Sequence, residues 1–172
     1  MKTMMFAAAL AVWSLQAEAA PELPKEVVPL QRLVGEWTTR SGTATVGGKP
    51  AKLDIKVSCA ATPNKLGVLC QSRIAIEGMG TIENTDLFGY DPGSKSYHWY
   101  CVAGFGEAHD HVGKLAGKGF SWSHQGPGKD GKLGKEAITM GLDDSGTKME
   151  FRNDVTIGGQ AAFKLVASMT KK

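Results

Sequence analysis

Hydrophobic and polar residues alternate along most of the chain after residue 35. In residues 51–60, for example, Leu53, Ile55 and Val57 share one face of an extended strand, with polar residues between them. About ten such segments occur, separated by turns rich in Gly, Asp and Pro. No later segment keeps helical spacing for ten residues, and only residues 30–37 could hold one short helical turn.

The regular spacing of these segments predicts an all-β protein. Antiparallel strands in this number form a sandwich or a closed barrel, and closure removes exposed strand edges. We therefore predict a single antiparallel β-barrel of about ten strands over residues 29–172, with at most one short N-terminal helical turn. Residues 20–28 are Pro-rich and are predicted to form a flexible leader.

The first residues have the pattern of a secretory signal peptide. Lys2 precedes an apolar run, residues 4–15, and Ala17 and Ala19 supply the small residues of a cleavage site. Removal of residues 1–19 predicts an exported protein, periplasmic or extracellular, without a membrane span after cleavage. An N-terminal anchor is the less favoured alternative, because the run is shorter than the ~20 residues that a spanning helix needs.

Charge and loop motifs argue against several other functions. The net charge is +3 and no run of basic residues exceeds two, so nucleic acid is not an expected partner. Residues 126–133 resemble a phosphate-binding loop, but Leu133 replaces the Ser or Thr that binds Mg²⁺ and no helix follows. Neither a dinucleotide-binding loop nor a nucleophile elbow occurs, so an enzyme is less favoured than a binding protein.

Two of the three cysteines can be paired from the strand register. Residues 63–65 have turn chemistry, and a hairpin centred there places Cys59 directly opposite Cys70. An oxidising compartment would allow a cross-strand disulfide; two buried free thiols are the alternative. Cys101 is expected to be a small buried hydrophobic residue.

Two stretches carry a resemblance to known families. Gly35-Glu36-Trp37 is similar to the G-x-W opening of lipocalin-like barrels, the calycins. Residues 87–123 resemble the middle of the bacterial family called domain of unknown function 1579 (DUF1579), in which a G-Y-D-P turn leads into a strand and then a polar strand. The resemblance covers roughly residues 28–170 and implies a secreted lipocalin-like barrel.

One feature departs from the calycin pattern. Calycins usually pack a basic residue of the last strand, commonly Arg, over the opening Trp. The last strand here offers only Lys164, Lys171 and Lys172, so the packing partner of Trp37 is left open.

The stretch GFGEAHDHVG, residues 104–113, carries the candidate chemistry. In a strand, Glu107, His109 and His111 lie on one face. If that face points inward, it forms the polar end of a cavity that can hydrogen-bond a ligand. If it points outward, these residues are part of the solvated surface.

His109 and His111 could also begin a metal site, because imidazole suits Zn, Fe or Cu. His98 or His124 could add a third ligand if neighbouring strands present them at the same level. Haem ligation by His109 or His111 is a variant of this hypothesis, by analogy with haem-binding calycins.

Four aromatic residues are candidates for an apolar pocket lining: Trp37, Trp99, Phe105 and Trp122. Core packing by the same residues is the alternative. The leading hypothesis is a secreted protein that binds a small, partly apolar molecule and needs no cofactor. The second is a metal- or haem-binding barrel, and the third is an interaction module with a solid core.

Overall fold

The computed structural model describes residues 22–128 and 131–172. The predicted signal peptide lies outside these ranges, as does the start of the predicted leader. Within them, no helix is long and apolar enough to cross a membrane. One helical turn, α1, spans Val28–Gln31. The strands are β1 (Gly35–Val46), β2 (Lys49–Ala61), β3 (Gly67–Ile76), β4 (Gly80–Asp91), β5 (Ser96–Ala103), β6 (Ala108–Ala116), β7 (Gly119–Pro127), β8 (Leu133–Leu142), β9 (Lys148–Ile157) and β10 (Gln160–Lys171).

The ten strands form one closed antiparallel sheet. Each strand pairs with its neighbours in sequence, and β1 also pairs with β10, which closes the barrel. The register of β1 shifts between Thr39 and Ser41 where it faces β10, and between Thr38 and Thr43 where it faces β2. Such irregularities bend and twist a strand, which helps a sheet to curve. The predicted all-β barrel with a single helical turn is confirmed.

Residues around α1 are tied to the turns at one end of the barrel. The side-chain amide of Gln31 donates a hydrogen bond to the carbonyl of Lys65, in the turn after β2. The guanidinium of Arg32 donates to the carbonyls of Lys118 and Asp143, in the turns after β6 and β8. These bonds hold α1 as a cover over this end.

Trp37 lies beneath this cover and is 1% exposed. Its indole N–H donates to the carbonyl of Leu33 at 2.7 Å. The ammonium of Lys171 lies 4.8 Å from the centre of a Trp37 ring and donates to the carbonyl of Arg32 at 2.8 Å. Lys171 therefore takes the position over Trp37 that calycins usually give to Arg.

The described part of the predicted leader lies against the barrel. Val27 is 4% exposed, and its amide donates to the carbonyl of Pro24 at 2.8 Å. The hydroxyl of Tyr97, on β5, donates to the carbonyl of Glu26 at 2.8 Å. These contacts join the segment before α1 to the same covered end.

The opposite end of the barrel meets solvent. The turns after β3 and β5 carry Met79 and Phe105, which are 57% and 50% exposed. Both residues also line the interior cavity described below. The cavity therefore reaches the surface at this end, which we call the mouth.

The predicted disulfide is present. Cys59 and Cys70 lie opposite each other in the register of β2 and β3, with Cα atoms 4.1 Å apart, and their sulfurs are bonded. Lys65 in the connecting turn has a φ of 59°, in the left-handed region, and the side-chain oxygen of Asn64 accepts from the amide of Leu66. This disulfide is consistent with export into an oxidising compartment.

Replacing Cys59 and Cys70 together with Ala is expected to lower the free energy of unfolding by about 2–3 kcal/mol, because the bridge constrains the unfolded chain. Urea unfolding monitored by tryptophan fluorescence, with and without dithiothreitol, measures this. The wild type should lose stability on reduction, whereas the double variant should not respond. A wild-type midpoint that reduction leaves unchanged would contradict the prediction.

Candidate functional site

Strand β6 turns His109 and His111 toward the barrel interior. In the register of β5 and β6, His111 lies opposite Trp99 and His109 lies opposite Cys101, and both β5 residues are buried. Asp110, between the two histidines, is exposed. Of the two orientations that the sequence left open, these histidines adopt the inward one.

His111 is 2% exposed and both of its ring nitrogens face oxygen atoms. Its Nδ1 lies 3.1 Å from the carbonyl oxygen of Trp99, and its Nε2 lies 2.8 Å from a carboxylate oxygen of Glu136. Because a carbonyl oxygen can only accept, Nδ1 donates and Nε2 is directed at Glu136. The imidazole also stacks on the Trp99 ring, with centroids 4.9 Å apart.

His109 lies between two carboxylates. Its Nε2 is 3.3 Å from a carboxylate oxygen of Glu107, in the turn before β6, and its Nδ1 is 3.6 Å from one of Glu136, on β8. Its ring stacks on His124 of β7, with centroids 4.5 Å apart and planes 7° from parallel. Glu107 thus lies on the mouth side of His109, whereas Glu136 lies two strands away on β8.

Glu136 was not predicted from the sequence. It lies two strands from β6, opposite His124 in the register of β7 and β8. Its alternation with the buried Ile138 and Met140 is the sequence signal that places it on the inner face. Burial opposes its ionisation, but the hydrogen bond from His111 and the charges of the nearby histidines outweigh burial and hold the pKa of Glu136 below its usual value.

Neither histidine considered as a third metal ligand has that position. His98 lies on the other face of β5, where its Nδ1 is 3.1 Å from both carboxylate oxygens of Asp110. His124 stacks on His109, but it is not in the group of donors that lie within 4.8 Å of one another among the described residues. The third donor is Glu136: one donor atom each from His109, His111 and Glu136 lie within 4.8 Å of one another.

A cavity of about 170 Å³ occupies the barrel interior. Of the residues predicted for a site, it is lined by Trp37, Trp99, Phe105, His109 and His111. Apolar cavities of roughly 150 Å³ stay dry and accept benzene-sized molecules, so this one has room for a small ligand. The interior is not a solid core.

Glu107 and Trp122, also predicted for the site, are not among the lining residues. Trp122 is 3% exposed and packs against Phe120 and Phe88, with ring centroids 5.3 and 5.7 Å away. It belongs to the buried aromatic packing on the inner face of the barrel, beside the cavity. Glu107 lies 3.3 Å from His109, which lines the cavity.

Asp86 provides a second polar group in the cavity wall, which was not predicted. It is 3% exposed, and its carboxylate accepts from the indole of Trp99 at 2.8 Å and from the hydroxyl of Ser72 at 3.0 Å. Burial raises the pKa of Asp86 above its usual value, although these hydrogen bonds act in the opposite direction. Burial and the nearby Asp86 also raise the pKa of the Cys101 thiol, which disfavours a nucleophilic role for this cysteine.

Asn153 on β9 contributes a polar atom without a partner. Among the residues that the structure describes, its side-chain oxygen is buried and accepts no hydrogen bond. Such a group costs about 1–3 kcal/mol when it is left unpaired. Because Asn153 lines the cavity, a hydrogen-bond donor on a ligand could satisfy this oxygen.

A closed antiparallel barrel with one covered end and an interior cavity is a lipocalin-like fold. The chain is similar to the crystal structure of Rv2717c from M. tuberculosis, with a TM-score of 0.60 and 14% identity over 88% of this chain and 99% of that chain. It is also similar to the S-type phycobiliprotein lyase CPES from Guillardia theta, with a TM-score of 0.54 and 6% identity over 87% and 98% of the two chains.

At these identities the two likenesses show the fold and not the function. No protein-family model and no curated protein matches the sequence. The resemblance to DUF1579 therefore stays a prediction, whereas the lipocalin-like fold is observed.

Asp86→Asn is expected to be at least as stable as the wild type near pH 7. The new amide can accept from the indole of Trp99 and donate to the hydroxyl oxygen of Ser72, so both hydrogen bonds remain. The substitution also removes a charge that burial has desolvated. Each unit by which burial raises the pKa of Asp86 corresponds to about 1.4 kcal/mol. The stability that the neutral Asp86 carboxyl contributes is present below its unfolded pKa and is lost as pH rises through its higher folded pKa.

The advantage of Asp86→Asn should therefore shrink as pH falls from about 7 to about 4. Urea unfolding across this range, with Asp54→Asn on the exposed face of β2 as the matched control, measures the difference. If Asp86→Asn is instead less stable than the wild type, and the difference grows as pH rises, the fold favours the ionised carboxylate and the prediction is wrong.

Proposed function

We propose that this protein binds a small, partly apolar molecule that carries a polar group. The observation that carries the proposal is the cavity: it reaches solvent at the mouth and is covered by α1 at the other end. A pocket with one entrance and a largely apolar wall is the usual architecture of a small-molecule site.

The apolar part of the ligand would contact the hydrophobic wall. Residues at different depths supply it: Leu33 and Trp37 near the covered end, Ile138 and Leu165 further along, and Phe105 at the mouth. Burying apolar ligand surface there is favourable by roughly 25 cal/mol per Å². This term supplies affinity but little chemical selectivity.

Selectivity would come from the polar groups in the same wall. His109 and His111 can orient a polar group near the mouth, while Glu107 holds the ring of His109. Asp86 and the oxygen of Asn153 offer further acceptors in the cavity wall. A ligand with a hydrogen-bond donor would match these acceptors better than a pure hydrocarbon, because unpaired polar groups in such a site are costly.

The mature protein would act in the periplasm or outside the cell. The signal-peptide pattern of residues 1–19 and the Cys59–Cys70 disulfide both support export. A periplasmic location suits a protein that captures or carries small molecules outside the cytoplasm.

Ala103→Phe is expected to weaken binding of the small neutral fluorescent probe 1-naphthylamine at least tenfold, about 1.4 kcal/mol. Ala103 is 7% exposed and lines the cavity, so the larger side chain takes up space that the probe needs. Fluorescence titration and displacement by candidate ligands measure the affinity.

Ala108→Phe is the matched control, because Ala108 begins β6 and is exposed. It should change probe affinity less than twofold. Circular dichroism and urea unfolding establish that both variants fold. Probe binding that survives Ala103→Phe unchanged, or wild-type protein that binds no probe, would contradict the proposal. An absorption spectrum of the same preparation tests the haem alternative through its Soret band.

A further inference from the structure

We propose that His109, His111 and Glu136 form a binding site for a divalent transition metal, with an open coordination position toward the cavity. Two imidazoles and one carboxylate are a donor set that suits Zn²⁺ or Fe²⁺. The inference goes beyond the proposed function, because a metal could bind here whether or not the apolar part of the cavity is filled.

The first argument is the convergence of the three donors. The residues come from β6 and β8, with β7 between them, and one donor atom of each lies within 4.8 Å of the others. Metal–ligand bonds of about 2.0–2.1 Å place neighbouring ligands roughly 3–3.5 Å apart. The donors therefore need to close by only about 1–2 Å, which side-chain rotation can supply.

The second argument is the orientation of His111. Metal-bound histidines almost always donate their other ring N–H to a carbonyl or carboxylate, which fixes the tautomer and the ring plane. His111 has this arrangement: Nδ1 donates to the carbonyl of Trp99 and Nε2 is directed at Glu136. Stacking on Trp99 holds the ring in that plane.

The third argument is that each ring nitrogen of His109 has a carboxylate oxygen within ion-pair distance. The Nδ1 of His109 faces Glu136 at 3.6 Å, while its Nε2 lies 3.3 Å from Glu107. Each histidine thus directs one nitrogen to Glu136 and has an oxygen acceptor at the other. Glu107 is a positioning residue in this site, and Glu136 offers one carboxylate oxygen to each histidine.

Three protein ligands leave at least one coordination position unfilled by the protein. Because all three residues line the cavity, that position faces the cavity interior. A bound molecule with a carboxylate, hydroxyl or similar donor could complete the coordination. Metal sites of this kind bind or activate small molecules, whereas structural zinc sites are usually closed by four protein ligands.

Zn²⁺ alone tests the proposal. The mature protein is stripped with EDTA, dialysed and titrated by isothermal calorimetry, and a parallel titration with Co²⁺ is followed by visible absorption. We expect one equivalent of Zn²⁺ to bind, and Co²⁺ to develop an intense band characteristic of fewer than six ligands. Wild-type protein that takes up no stoichiometric metal would overturn the proposal.

Substitutions assign the site. Glu136→Gln and His109→Ala should each weaken Zn²⁺ binding at least 100-fold, and Glu107→Gln should weaken it about 10–100-fold while keeping the Co²⁺ band. His98→Ala is the matched control, because His98 pairs with Asp110 on the outer face at 3.1 Å; it should change affinity less than twofold. Binding that depends on His98, or that Glu136→Gln and His109→Ala leave intact, would place the metal elsewhere and contradict the proposal.

Folding and cavity binding are checked separately. Circular dichroism identifies any variant that fails to fold, and Glu136→Gln, which nearly preserves side-chain shape, then carries the test. Titration of the metal-free protein with 1-naphthylamine reports the cavity alone. Probe binding without metal binding overturns the metal site and leaves the proposed function standing.

Discussion

The rest of this structure depends on one constraint: ten strands close around an interior that their side chains do not fill. Barrel diameter grows with strand number, and about eight strands already give an interior that side chains just fill or that holds one small ligand. The ten strands here leave a cavity of about 170 Å³. Closure also satisfies the backbone hydrogen bonds of every strand, so the cavity wall can be apolar.

The two ends of the barrel differ because only one has a cover. Arg32 and Gln31 join α1 to three turns, and Trp37 lies between this cover and the cavity. Lys171 bridges the ring of Trp37 and the carbonyl of Arg32. The interior is therefore open to solvent at the mouth, where Phe105 is half exposed.

The polar groups of the cavity wall are stabilised by pairing. In a medium of low polarity an unpaired charge is very costly, so buried carboxylates need hydrogen-bond donors. Glu136 has His111, and Asp86 has the indole of Trp99 and the hydroxyl of Ser72. Trp99 connects the two groups, since its carbonyl accepts from His111 while its indole donates to Asp86. The histidine cluster and Asp86 are thus both positioned by Trp99.

Local pattern predicted the features that depend on one strand or one hairpin. Alternation predicted the strands, and the register of a single turn placed Cys59 opposite Cys70. The same period placed His109 and His111 on one face, but it could not decide that the face is the inner one.

Features that depend on how distant strands meet were not predicted. The contact between Glu136 and His111 depends on how β7 pairs with both β6 and β8. The hydrogen bond between Asp86 and Trp99 depends on how β4 pairs with β5. The aromatic character of Trp122 could not predict that it packs beside the cavity without lining it, because large aromatic side chains occur in both cores and pockets.

Native mass spectrometry of the protein expressed with its predicted signal peptide, residues 1–19, and purified without added ligand tests the central claim most directly. The account predicts the mass of a chain that begins at Ala20 and carries one disulfide, together with a second species heavier by a small organic molecule. The added mass should be lost on collisional activation and absent from Ala103→Phe. A wild-type spectrum that contains only the bare chain would contradict the claim that the cavity is a binding site.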